Sequence, residues 1–165
     1  MAVQCSTERE VAAALRAFAT QHQSAHHLAY AFRIKTGQGI GQRFSDAGEP
    51  SGTAGMPVLK LIEGRDLINA CVAVIRYYGG INLGTGGLAR AYGGTAKMAL
   101  DAARVGDFVE MQTLAITIHY NQMEAVTKAL SKCNGAILQK AFNEQVDLEI
   151  SLPKEEVVGF LNRFK

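Results

Sequence analysis

Residues 69–104 read NACVAVIRYYGGINLGTGGLARAYGGTAKMALDAAR, and they constrain the fold more than any other stretch of the chain. A β-branched apolar run over 70–75 ends in Arg76, Tyr77 and Tyr78. Its two faces are both apolar, the mark of a strand central in its sheet. Gly79 and Gly80 break this strand, and Gly84, Gly86 and Gly87 lead into an Ala-rich helical pattern. Leu88, Tyr92, Ala96, Ala99 and Ala103 form the expected buried stripe of that helix. Strand, glycine loop and helix start make an anion-binding element, because free N–H groups and the helix dipole both favour negative charge. Arg76 before the loop and Arg90 after it add planar charged forks. The same glycines would also let strand, loop and helix pack tightly. Both readings stand on sequence alone. Gly93 and Gly94 weaken the helix and suit a second backbone packed against it.

Around this centre the pattern is α+β. Thr7 and Glu10 have capping-box spacing ahead of Val11, Leu15 and Phe18, which predicts a helix over 8–21. Leu28, Tyr30, Phe32 and Ile34 alternate as a strand does, and residues 42–44 return as a short second one after a glycine turn. SDAGEPSGTAG, residues 45–55, is too rich in Gly, Ser and Pro for a regular element. Its Asp46, Glu49, Ser51 and Thr53 are placed to converge on a ligand, or to solvate a connector. Pro57 opens a helix over 56–63.

After a junction at 105–110 the order becomes strand 113–120, helix 121–133, strands 136–142 and 146–152, and helix 154–164. This βαββα succession is a ferredoxin-like unit lacking its last strand. Two small α+β domains are expected, 1–107 and 108–165.

The chemistry is sparse. Gly84, Gly86 and Ala89 satisfy a dinucleotide pattern, but no second strand ends in the acidic residue that pattern needs, and no Walker lysine follows. His22, His26 and His27 with Asp46 or Glu49 could ligate a metal, yet the helix ends before their spacing acquires geometric force. Ser51 and Thr53 have no adjacent base, so no catalytic residue is assigned. No cofactor and no metal are implied. Tyr77 and Tyr78 can stack on bases. A net charge of +2 with scattered cations is too mild to argue for nucleic acid by itself. Cys5, Cys71 and Cys133 are too far apart for a disulfide framework, and no apolar run reaches membrane-span length, so a cytoplasmic protein is expected.

RYYGGINLGTGGLARAY (residues 76–92) and SDAGEPSGTAG (residues 45–55) together resemble the two hallmarks of the IMPACT family, in particular its bacterial YigZ-like branch. His26-His27 stands where that family often carries histidine. The resemblance implies an N-terminal domain of the ribosomal-protein-domain-2 fold, a mixed sheet containing a βαβ unit, and a C-terminal domain like the last domain of elongation factor G. It implies a translation-associated regulatory or nucleic-acid-binding role and brings no catalytic set with it. The binding surface then comprises Arg76, Tyr78, Gly79, Gly80, Gly84, Gly86, Gly87, Arg90 and Tyr92, with Asp46, Glu49, Ser51, Thr53 and His26 as a second loop. RNA, a ribosomal surface, a translation factor or another protein are its expected partners. An enzyme acting on a nucleotide or phosphorylated small molecule in the same cleft is the alternative. Two departures stand out. Ala47 replaces a frequent second acidic residue, and the chain lacks both an expected first strand and a last one, which would leave sheet edges open.

Overall fold

A computed structural model describes residues 1–164, so Lys165, the last residue of the expected second domain, lies outside the described residues. The chain divides into two compact units, Met1–Val105 and Gly106–Lys165. Both are α+β.

In the first unit the strands are β1 (Ala2–Gln4), β2 (His27–Thr36), β3 (Gly39–Ser45) and β4 (Ala70–Arg76), and the helices are α1 (Glu8–Gln21), α2 (Gly55–Gly64) and α3 (Gly84–Asp101). The sheet order is β1-β4-β2-β3, with every pairing antiparallel. Strand direction therefore differs from the mixed sheet expected. β1 and β2 run parallel to each other, but β4 lies between them and pairs with both, so the βαβ unit is a split one. β1 is the first strand that sequence reading missed. Three residues are too few to show a period.

Each face of this sheet is buried by a different helix layer. The first core holds Ala29, Ala31, Val72 and Val74 against Val58 and Ile62 of α2 and Leu88, Tyr92 and Ala96 of α3. The alanines of β2 are small because two helices lie over them. On the other face Phe32, Ile34 and Cys71 meet Val11, Ala14 and Leu15 of α1. The N-terminus of α1 is fixed by the Thr7 side chain, which accepts from Glu10 N–H, while Ser6 N–H donates to the Glu10 carboxylate. Such a cap contributes about 1 kcal/mol.

Two details of α3 differ from expectation. The helix begins at Gly84, so the three glycines form its first turn instead of a loop ahead of it. It ends at Asp101, and Leu100 completes the buried stripe in place of Ala99 and Ala103. No backbone atom of another element lies within 4 Å of where a Cβ would stand on Gly93 or Gly94. A side chain at Gly93 would meet Pro57 Cβ at 3.7 Å, and one at Gly94 would meet nothing within 4 Å.

The second unit has β5 (Met111–Ile118), α4 (Met123–Lys132), β6 (Ala136–Phe142), β7 (Val146–Pro153) and α5 (Val157–Arg163), with one 3-10 turn before each helix. The sheet order β5-β7-β6 is antiparallel throughout and again a split βαβ. Val126, Leu130 and Phe160 cover Leu148, Ile150 and Leu152. No helix among the described residues is long and apolar enough to cross a membrane.

Candidate functional site

Loop 45–55 is built by its own carboxylate. Asp46 Oδ1 accepts from Ala54 N–H at 3.0 Å and Gly55 N–H at 2.8 Å, and Oδ2 accepts from Gly52 N–H at 2.8 Å. Asp46 therefore caps α2 from outside the helix, satisfying donors that would otherwise be orphaned. Burial disfavours its charge, but the backbone N–H bonds outweigh burial and hold the carboxyl below its ordinary range. Gly55 is required here. A Cβ on it would lie 2.5 Å from Ser45 O. Ala47 takes a left-handed conformation at φ 49°. Thr53 is buried, its hydroxyl donating to Pro50 O at 2.7 Å. Ser51 is exposed.

That loop delivers Glu49 to the end of β4. Glu49 Oε1 accepts from Arg76 Nη1 at 2.7 Å and from the Tyr92 hydroxyl at 2.8 Å, with His27 Nε2 at 3.9 Å. The Glu49 side chain is only 4% exposed. Burial acts to raise its pKa. The bonds from Arg76 and Tyr92 and the neighbouring positive charge win, and the carboxyl sits below its ordinary range. Burial and the bond to Glu49 both push the Tyr92 hydroxyl up. His27 is oriented by Nδ1 donating to Ala47 O at 2.9 Å. Arg76 is further held by Ile81 O at 3.4 Å, and its guanidinium carbon lies 5.1 Å from the centre of the Tyr78 ring.

The remaining sequence candidates lie on the surface that this buried cluster supports. Tyr78 N–H donates to His26 Nδ1 at 3.1 Å, and Tyr77 hydroxyl shares a 2.7 Å hydrogen bond with His22 Nδ1. The three histidines thus have three separate partners, and the described residues contain no metal-holding group of three His, Cys, Asp or Glu. Gly79, Gly80 and Gly84 each face open space, and Gly80 and Gly84 have positive φ. Gly84 N–H donates to Asn82 Oδ1 at 3.1 Å. A side chain on Gly86 would meet Arg90 Nη1 at 3.5 Å, which sets that guanidinium over the first turn of α3.

The two arginines are therefore used differently. Arg76 is committed inward to Glu49, whereas Arg90 is exposed. Sequence reading missed Ile81 and Leu83, both exposed here. The signal was available: two aliphatic residues in a glycine-rich segment that belongs to no helical stripe or strand face.

Comparison with known proteins gives consistent matches. Residues 1–100 match the Impact N-terminal domain. The chain is 38% identical over 117 residues to IMPACT family member YigZ of Escherichia coli (strain K12), covering 71% of this chain and 57% of that protein. It is 33% identical over 155 residues to IMPACT family member YvyE of Bacillus subtilis (strain 168), covering 94% of this chain and 71% of that protein. The match thus spans little more than half the length of the Escherichia coli relative. A solved structure described as that of a hypothetical protein superposes with a TM-score of 0.69 at 32% identity, over 97% of this chain and 78% of that one.

Proposed function

The chain belongs to the Impact N-terminal domain family, and we propose from that premise that it is a cytoplasmic, translation-associated regulatory protein that acts by binding. The binding surface is the one between β4 and α3, formed by Tyr78, Gly79, Gly80, Gly84, Gly86, Gly87 and Arg90 over the buried Arg76–Glu49–Tyr92 cluster. An RNA, a ribosomal surface or a protein is its partner.

The observation that carries this reading is the exposure of the glycine-rich segment above a buried anchor. Gly79, Gly80 and Gly84 have open space where a side chain would stand, so their role is not tight internal packing. The positive end of α3 and the Arg90 guanidinium share one sign there. The second unit's split βαβ arrangement supports kinship with the last domain of elongation factor G.

The enzyme alternative is less well supported. Asp46 has both oxygens on backbone N–H groups, and Glu49 is bound to Arg76 and Tyr92. Neither carboxylate is poised for proton transfer or for Mg²⁺ without breaking the loop.

Co-sedimentation of the purified chain with ribosomes, and its binding to labelled RNA at several salt concentrations, test the reading. Arg90→Ala is expected to weaken whichever interaction is found and to flatten its salt dependence. Equal binding by wild type and variant would place the partner elsewhere.

A further inference from the structure

We propose that the partner is a protein segment that sets an aspartate or glutamate beside an aliphatic or aromatic side chain, docked on Tyr78, Ile81, Leu83 and Arg90. This rests on the reading of the β4–α3 surface as a binding surface and chooses among its partners.

The first observation is apolar exposure. Ile81 is 73% exposed, Leu83 45% and Tyr78 44%, all within the connection between β4 and α3. Single exposed apolar residues are ordinary, but a cluster of them is the mark of an interaction surface. The connection is also held in place. Tyr77 is tied to His22, Tyr78 to His26, and Ile81 O to Arg76. A surface already ordered before binding loses less conformational freedom on association.

The second observation is charge. No acidic residue occurs between Asp66 and Asp101, or between Glu10 and Asp46. These stretches supply the end of α1, the start of β2 and the whole β4–α3 connection. The nearby carboxylates, Asp46 and Glu49, are turned inward and bonded. Arg90 lies over the first turn of α3, and no carboxylate pairs with it among the described residues. An incoming carboxylate thus meets a guanidinium and no like charge from these segments.

The same facts weigh against RNA at this surface. Backbone recognition gains its strength from several phosphate contacts at once. Arg76 is already neutralised by Glu49, and Ile81 and Leu83 offer nothing to a phosphate. Apolar contact with a single charged anchor is the composition of a protein interface core and rim.

The experiment is a random peptide library displayed on phage, selected on the full-length chain and counter-selected on Ile81→Ser/Leu83→Ser. In parallel, fluorescence anisotropy follows a labelled oligouridylate. The expected result is enrichment of peptides pairing an acidic with an apolar residue. A synthetic copy of the leading peptide should lose roughly tenfold or more in affinity on Ile81→Ser/Leu83→Ser and on Arg90→Glu. Exchanging its acidic residue for lysine should restore binding to Arg90→Glu. Far-UV circular dichroism checks that the variants remain folded. Basic peptides, peptides indifferent to the variants, or no enrichment would overturn the proposal. If the oligouridylate binds and Arg90→Glu abolishes that binding while no peptide is enriched, this inference falls and the binding-surface reading stands. If neither probe senses the variants, both fall.

Discussion

Glu49 and Arg76 stand 27 positions apart in the chain, yet one oxygen of the first and one nitrogen of the second are 2.7 Å apart. The pair joins the polar loop to the last residue of the central strand. With Tyr92 on the same oxygen, three elements are fixed by one carboxylate.

That convergence makes the carboxylate's partners interdependent. Tyr92→Phe removes a hydroxyl donated to a buried charged acceptor and is expected to cost about 1.5–3 kcal/mol. Arg76→Met is expected to destabilise Glu49-containing protein more than it destabilises Glu49→Gln, because the first change strands a buried charge. Urea unfolding of the two singles and the double measures this. A cycle with no coupling would mean that the pair contributes nothing specific.

Stability should also fall in acid in a predictable direction. Glu49 and Asp46 both have carboxyls held below their ordinary range in the folded chain. Their contribution is therefore complete above the unfolded carboxylate range and is lost as pH falls through the lowered folded values. Thermal melts from neutral to acid pH should show that decline, and it should be shallower in Glu49→Gln.

Ala47 carries a left-handed φ of 49°, a conformation that an ordinary side chain resists. Ala47→Asn and Ala47→Gly are expected to stabilise the chain by about 0.5–1 kcal/mol. Midpoints of denaturant unfolding decide it, and a loss on both would show that the alanine methyl makes a contact worth more than the strain.

The glycines separate into two classes. Gly94→Ala, inside α3 with open space for a Cβ, should stabilise by about 0.5–1 kcal/mol. Gly55→Ala places its methyl on the Ser45 backbone and should destabilise by about 3 kcal/mol or prevent folding. Expression level and melting temperature distinguish them directly.

Thiol labelling gives a fifth check. Cys5 and Cys71 are buried, and burial, aided by Cys5, pushes the Cys71 thiol up to about 12. Only Cys133, half-buried, should react with a thiol reagent before the chain is unfolded.

How much of this was readable beforehand follows from which forces act locally. α1 and α2 were legible because a cap or a proline stands beside a helical apolar pattern, and β4 because its run is apolar on both faces. The start of α3 was not, because Gly84, Gly86 and Gly87 disfavour the helix that tertiary packing of Leu88 and Tyr92 imposes on them. The family hallmarks drew attention to residues 45–55, but spacing could not show that Asp46 turns to its own backbone. Nor could it show that Glu49, Arg76 and Tyr92 meet. Such contacts depend on how strands cross, which no local period records.

The insertion of β4 between β1 and β2 has a consequence for how the chain comes to be folded at all. During synthesis β1, α1 and the β2–β3 hairpin are finished well before the strand that unites them. Fragments that stop short of Ala70 would hold β1 and β2 with nothing between them. The first unit is expected to form late and in one step, and truncations inside it should yield unstructured polypeptide instead of a smaller fold.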